Sequence, residues 1–347
     1  MGLETNALFV LLRDYFKQYL PRVKKCSPNT IRSYQKAMEL FLDFVKDAKG
    51  LKLYEITFDV IDKATVTAFL DYVERERSCS LATRNHRMQC IRAFYKYAAA
   101  CNLGAVAYWN ELKTIRIART AEKPIGYMSE AAVEAVLTQP NTATQKGLRD
   151  TFLMLFLYQT GARVQELLDV RLSDISLGSA AVVTLQGKGS KVRCVPLRDK
   201  LVRHLNRYLA VFHPNAEKYS DRHLFFVARG GEQKRMTEDN VRRLVRKYGE
   251  MARKQLSEVP ENIHPHLFRH SRAMHLYQNG VSLPLVSQWL GHSRLETTLI
   301  YAYADTEQKR RAIEKAIPEE STLKEYLNAT RYQLDDEETI KRLYGLR

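Results

Sequence analysis

Cysteine is sparse in this sequence. The five present, Cys26, Cys79, Cys90, Cys101 and Cys194, are odd in number and form no Cys-x-x-Cys pair. That pattern excludes a disulfide framework, suggests no zinc site, and predicts reduced thiols in a cytoplasmic protein. Long hydrophobic runs are missing too. The apolar stretch near the N-terminus is short and interrupted, with Glu4 and Asp14 in it, which fits neither a signal peptide nor a membrane span. No terminal polybasic run or lipidation motif offers a membrane anchor. There is no Walker motif and no cluster of Asp and Glu, so neither nucleotide hydrolysis nor carboxylate-metal nuclease chemistry is expected. The sequence thus calls for no cofactor and no metal. Internal repeats and low-complexity tracts are also lacking.

What the sequence has in excess is positive charge. Lys and Arg number 55 against 39 Asp and Glu, a formal net charge of +16. Such an excess favours a polyanionic partner, nucleic acid first. The basic residues are spread over many predicted helices rather than gathered in a tail, which argues against a membrane surface. Hydrophobic residues at 45% and charged residues at 27% fit a globular protein, and 347 residues suffice for two cores.

The first hundred residues read as helices. Residues 5–20 form an amphipathic segment with Leu8, Leu11, Leu12, Tyr15 and Phe16 at helical spacing. Ser27-Pro28 opens a second helix as N-cap and first-turn proline, carrying Ile31, Tyr34, Met38, Leu42 and Val45 and ending before Gly50. A third covers about 64–76, and a fourth about 81–101 with the stripe Ile91, Phe94, Tyr95 and Ala98. Residues 113–127 read as a basic linker (Lys113, Arg116, Arg119, Lys123). A helix then starts after Ser129, followed by apolar helices at 149–159 and 163–170. Alternation from Ala181 to Leu185, the Gly187-Lys188-Gly189-Ser190 turn and a strand to Leu197 predict a β-hairpin. From about 200 onward the pattern is mostly helical. The expected fold is mainly α with a small antiparallel β-sheet in the second of two domains.

Four segments of that second domain concentrate unusual polar groups. In Thr160-Gly161-Ala162-Arg163-Val164-Gln165-Glu166-Leu167, Arg163 and Glu166 are spaced for an i,i+3 ion pair on a helix surface. Lys188 sits at the hairpin turn, where a lysine can reach into a groove. His264-Pro265-His266-Leu267-Phe268-Arg269-His270 holds three of the nine histidines. No Cys, Asp or Glu completes a metal set there, and a phosphate-facing His/Arg pair fits better. In Leu290-Gly291-His292-Ser293, Gly291 ends one helix, and Ser293 with Glu296 forms a capping box for the next. Tyr301 lies about two turns into that helix. It is one of 19 tyrosines, so its position alone is equally that of a core aromatic.

The ordered set Gly-Ala-Arg-Val-Gln-Glu-Leu, Gly-Lys-Gly-Ser-Lys-Val-Arg, His-Leu-Phe-Arg-His and Leu-Gly-His-Ser…Ile-Tyr closely resembles the catalytic signature of the tyrosine recombinase family, the phage integrase and Xer-type enzymes. It spans about residues 150–303, and the segments Ser27–Phe44 and Ser80–Tyr97 look like that family's helical core-binding domain. The resemblance implies a SAM-like core-binding domain over 1–112, a linker over 113–127, an α+β catalytic domain over 128–320 and a helical tail over 321–347. It implies that Arg163 is the first catalytic arginine, Lys188 the hairpin lysine, His266 and Arg269 the His-x-x-Arg pair, His292 the histidine before the nucleophile, and Tyr301 the nucleophile. Tyr303 is the rival. Two residues along a helix turn a side chain by roughly 200°, so only one of the two can face the phosphate, and the nine-residue spacing from His292 selects Tyr301.

Such a set suits attack of a phenolate on a phosphodiester. Arg163 and Arg269 would neutralise the transition state, His266 and His292 would add hydrogen bonds or take the phenol proton, and Lys188 would protonate the leaving 5′ oxygen. Two nearby guanidiniums are expected to favour the ionised tyrosine. Helix rows Arg84, Arg87, Arg92 and Lys96, and Arg242/Arg246 with Arg243/Lys247, are expected to grip double-stranded DNA, with the linker letting the domains close around it. The resemblance also implies a homo-tetramer on DNA, with accessory DNA-bending or directionality proteins possible as further partners. A type IB topoisomerase and a catalytically silent DNA-binding regulator are the competing readings.

Overall fold

The computed structural model describes residues 6–120, 125–178, 180–187, 191–215, 220–292, 294–304, 341 and 345. The chain divides into two compact units, Met1–Lys123 and Pro124–Arg347.

The first unit is helical: α1 (Ala7–Asp14), α2 (Pro28–Lys49), α3 (Lys63–Arg75), α4 (Leu81–Cys101) and α5 (Val106–Leu112). Ser27, Asp62 and Ser80 each accept a backbone N–H as N-cap of α2, α3 and α4, and Gly50 closes α2 in the left-handed region. The stripe Ile91, Phe94, Tyr95 and Ala98 is buried, with Phe41, Phe69 and Leu8. One expectation changes. The amphipathic segment is α1 followed by a π-helical stretch, Tyr15–Val23, with Pro21 inside it. Proline has no N–H to donate to the i−4 carbonyl, so regular α-helix does not continue through it.

The second unit begins with α6 (Glu130–Leu137), α7 (Gln145–Thr160) and α8 (Val164–Asp169). A three-stranded antiparallel sheet follows, β1 (Ile175–Leu177), β2 (Ala181–Gln186) and β3 (Val192–Pro196), in that order. β2 pairs with β3 in the register Leu185↔Arg193 and Val183↔Val195. After α9 (Asp199–Phe212) come β4 (Phe226–Arg229) and β5 (Glu232–Arg235), then α10 (Glu238–Arg253), α11 (Pro265–Gln278), α12 (Leu283–Leu290) and α13 (Glu296–Ala304). The three-stranded sheet adds β1 to the predicted hairpin, and β4–β5 forms a second, two-stranded sheet. β1 is too short to show a period, and β4–β5 corrects the helical reading of that stretch. Gly230 and Gly231 at φ +60° and +79° supply the mirror-image turn that joins β4 to β5. α7 is longer than expected, starting from the Thr144 cap. Its buried Phe152, Phe156 and Leu157 stand at the centre of the core with Val183, Leu185 and Phe268.

Candidate active site

Arg163 is the N-cap of α8, and its backbone N–H and Nη1 both donate to Glu166, at 2.8 and 2.7 Å. The expectation of a surface ion pair is corrected here, because Glu166 is only 4% exposed. A buried carboxylate requires partners on both oxygens. The second is Arg193, whose Nη2 donates to Glu166 at 2.8 Å and whose Nε donates to the Trp289 carbonyl at 2.9 Å. Strand alternation explains its reach, since Arg193 lies on the same face of β3 as the buried Val195. Burial alone would raise the Glu166 carboxyl, but the hydrogen bond and charge of Arg193 and the two Arg163 contacts outweigh it and hold Glu166 below its ordinary value. Glu166 therefore stays ionised and fixes two guanidiniums side by side.

Arg269 comes from α11 and is 3% exposed. Its Nη1 donates to the Gly161 carbonyl and its Nη2 to the Leu290 carbonyl, both at 2.6 Å. These acceptors lie at the C-termini of α7 and α12, where helix carbonyls have no helical donor. Both helices close on a glycine with positive φ, Gly161 at +61° and Gly291 at +65°. At Gly161 a Cβ would stand 2.9 Å from Leu290 Cδ2. Gly161→Ala is therefore expected to lose about 2 kcal/mol of stability, from left-handed strain and overpacking, read as a lower urea midpoint. An unchanged midpoint would refute that account.

His292 follows Gly291, and its Nδ1 meets Thr298 Oγ1 at 2.8 Å. Burial, then Arg269, Arg163 and Arg193, lower its pKa to about 4, so the ring is neutral. In the tautomer in which the Thr298 hydroxyl donates to Nδ1, the ring proton sits on Nε2, where it can donate to an anion. A cleft of 470 Å³ is lined by Arg163, Lys191, Arg193, Gln288 and His292 among others, which suits a phosphate group. His266 is exposed, yet partial withdrawal from water and then Arg269, His264 and Arg163 lower its pKa.

Tyr301 is 1% exposed, packed with Ala273, Met274, Val286 and Leu290, and its hydroxyl meets His270 Nδ1 at 3.0 Å. Tyr303, two residues on, is 69% exposed, so the two rings do lie on different faces of α13. The expected preference for phenolate is corrected. Arg269 and Arg163 do favour ionisation, but burial outweighs them and raises the Tyr301 pKa above its ordinary value.

The fold thus brings Arg163, His266, Arg269, His292 and Tyr301 within one electrostatic neighbourhood. Lys188 and Ser293 lie outside the described residues, as does most of the tail. Gly187, just before Lys188, sits against the Arg163–Glu166 pair, where a Cβ would stand 3.2 Å from Glu166 Oε1. Sequence reading placed Glu166 in a surface ion pair and gave no role to Arg193, Thr298 or His270. Of these three only His270 carried a signal, as the third histidine of its cluster.

The basic helix rows divide. On α10, Arg242, Arg243, Arg246 and Lys247 are all exposed. The charge of Arg242 reaches His264. On α4, Lys96 is exposed, whereas Arg84 pairs with Glu74 at 3.1 Å and Arg87 Nη1 lies 3.5 Å from Cys79 Sγ. Arg92 donates to the carbonyls of Leu112, Lys113 and Ile115, closing the C-terminus of α5.

Comparison with known proteins agrees with this geometry. Residues 127–308 match the phage integrase family and residues 11–113 the phage integrase SAM-like domain. An integrase/recombinase of Sinorhizobium fredii is 32% identical over 264 residues, covering 75% of this chain and 92% of the relative. The tyrosine recombinase XerC of Chlamydia caviae is 29% identical over 320 residues, covering 87% and 97%. The XerH site-specific recombinase, solved bound to a palindromic difH substrate, superposes with a TM-score of 0.64 at 22% identity, over 84% of this chain and 81% of that one. At that identity the likeness concerns the fold. With its catalytic-domain match covering more than half of its length, and a cleft lined by Arg163, Arg193 and His292 of the signature, the chain belongs to the phage integrase family and is an enzyme of the tyrosine recombinase class.

Proposed function

We propose that this chain is a site-specific DNA recombinase that cuts and rejoins strands through a covalent 3′-phosphotyrosine at Tyr301, serving integration or excision of a mobile element. The observation that carries the reading is the convergence of two fixed guanidiniums, Arg163 and Arg269, on the neighbourhood of one buried phenol. In the reaction, Tyr301 Oη forms a bond to phosphorus and the bond from phosphorus to the 5′ oxygen breaks. Arg163 and Arg269 take the charge growing on the non-bridging oxygens. His292 donates a hydrogen bond to the phosphate, neutral His266 takes the proton released by the Tyr301 phenol, and Lys188 supplies the proton to the departing oxygen. The phosphotyrosine keeps the phosphodiester's energy, so religation requires no nucleotide.

Residues 1–112 act in this reading as a core-binding domain joined by 113–127 to the catalytic domain, 128–320, with 321–347 as the tail, and the chain works as a tetramer on DNA. Exposed Lys96, Arg246 and Lys247 make phosphate contacts, as do Arg242 and Arg243, exposed residues that rest on Glu238 and the Asp239 carbonyl one turn back; the less exposed Arg84, Arg87 and Arg92, each with an intramolecular partner, serve the grip through the shape of α4.

A nicked suicide duplex carrying the element's own end tests the proposal. A covalent protein–DNA adduct on a denaturing gel is expected, undiminished in EDTA, together with recombination between two marked sites. Dependence on a divalent metal would sink the mechanism. Multi-turn relaxation of an unmarked plasmid without recombination would show a topoisomerase, and binding without any adduct a silent regulator.

A further inference from the structure

The proposed chemistry leaves one member of the histidine cluster without a task. His270 follows Arg269 on α11 and stands one turn beyond His266, so His266 and His270 share a helix face. Its Nδ1 lies 3.0 Å from the hydroxyl of Tyr301, which comes from a different helix 31 residues later. The two ring centroids are 6.0 Å apart and the planes are tilted by 55°. Among the described residues no second partner for that hydroxyl lies within hydrogen-bond distance.

The surroundings set the charge of both partners. Burial, and then His266, Arg269 and His264, bring His270 down to about 4, so the imidazole is neutral. Tyr301 stays protonated, its pKa raised by burial against the pull of Arg269 and Arg163. In the tautomer with the ring proton on Nε2, the phenol donates and Nδ1 accepts. The same two facts exclude full transfer of the proton to His270 in the resting site. With His270 lowered to about 4 and the Tyr301 phenol raised by burial, transfer between them is strongly uphill.

We infer that His270 is a positioning residue for the nucleophile: its Nδ1 aims the Tyr301 hydroxyl from the same turn of α11 that carries Arg269. The neighbouring guanidinium is itself locked to the Gly161 and Leu290 carbonyls. Phosphate clamp and phenol are thus referenced to one rigid turn, and their separation does not depend on α13 alone. A phenol on a single helix, free to turn about its side-chain torsions, has no such reference. Loss of alignment of about 1 Å is enough to slow an attack by roughly a hundredfold.

The inference rests on the reading of Tyr301 as nucleophile, and the test separates the two. DNA affinity and the single-turnover cleavage rate on the nicked suicide duplex are measured for the wild type, Tyr301→Phe, His270→Leu, His270→Phe and His270→Asn. Asparagine puts an amide oxygen near the place of Nδ1 but has no basic nitrogen. His270→Leu, which has no acceptor, is expected to cleave roughly 10- to 100-fold more slowly with unchanged DNA affinity. His270→Phe, closer in shape, is expected to behave alike and stands in should the leucine variant not fold. His270→Asn is expected to recover most of the loss. Cleavage at the wild-type rate by the leucine or phenylalanine variant would overturn the inference, and so would an asparagine variant as slow as either. A wild-type chain that forms no adduct through Tyr301 overturns both this inference and the functional reading, whereas the other failures overturn this inference alone.

Discussion

Tyr301→Phe is expected to abolish the covalent adduct, lowering the cleavage rate by at least ~10⁴-fold while leaving DNA affinity nearly unchanged. The substitution removes one atom. The ring keeps its packing against Ala273, Met274, Val286 and Leu290, so the helix that carries it should stay in place. The structural penalty is confined to His270 Nδ1, which loses its donor, a matter of about 1 kcal/mol. Tyr303 offers no substitute. It is 69% exposed against 1% for Tyr301, and their common helix turns the two rings to different sides. An adduct that persists in Tyr301→Phe and disappears in Tyr303→Phe would reverse the assignment. In the resting site Tyr301, the proposed nucleophile, is a buried, protonated phenol, because desolvation outweighs the arginines. The phosphate must therefore bring a change that lets the proton leave, and the attacking species is not stored in advance.

Arg269→Gln is expected to slow cleavage by roughly 10²- to 10³-fold, the loss typical of removing one preorganised donor to a developing oxyanion. Two of the five guanidinium N–H groups are spent on the Gly161 and Leu290 carbonyls, which leaves three for a ligand. Burial, and then Arg163 and Arg193, pull Arg269 down to about 9, so it still carries its charge at neutral pH but does so at a disadvantage. The sign of the linkage is definite. Between about 9 and the ordinary 12.5 the unfolded chain holds this proton more tightly, so the disadvantage is full at neutral pH and fades as pH rises through about 9. An anion in the cleft relieves the same crowding. Inorganic phosphate should accordingly raise the melting midpoint of the wild type in proportion to its occupancy, and raise that of Arg269→Gln far less. Equal shifts in the two proteins, or cleavage by the variant near the wild-type rate, would refute this role.

Much of this protein is legible residue by residue. Ser27, Ser80, Ser129 and Thr237 mark helix starts because each supplies an oxygen to an otherwise unpaired N–H, and all four do so in the fold. Gly50 and Gly291 mark helix ends through the left-handed turn that glycine allows. The stripe on α4 is buried as its period foretold. These features are local, and a local rule reads them. The three-residue β1, and β5 (Glu232–Arg235), polar throughout, carry too little pattern for such a rule, and they were missed.

Tyr301, assigned at first through a family resemblance and chosen over Tyr303 by its distance from His292, shows where that legibility stops. Sequence by itself determined the caps and stripes of the helices and the two-unit organisation, which follow from near neighbours in the chain, and the order and spacing of the motifs whose resemblance names the candidate nucleophile. Tertiary structure alone decided that Glu166 is a buried strut between Arg163 and Arg193, that Arg92 closes a helix end, that Tyr301 rests protonated, and that His270 holds its hydroxyl. Each of these depends on desolvation or on a partner tens of residues away. Burial sets the sign of a charge's free energy, and it exists only once the helices have packed.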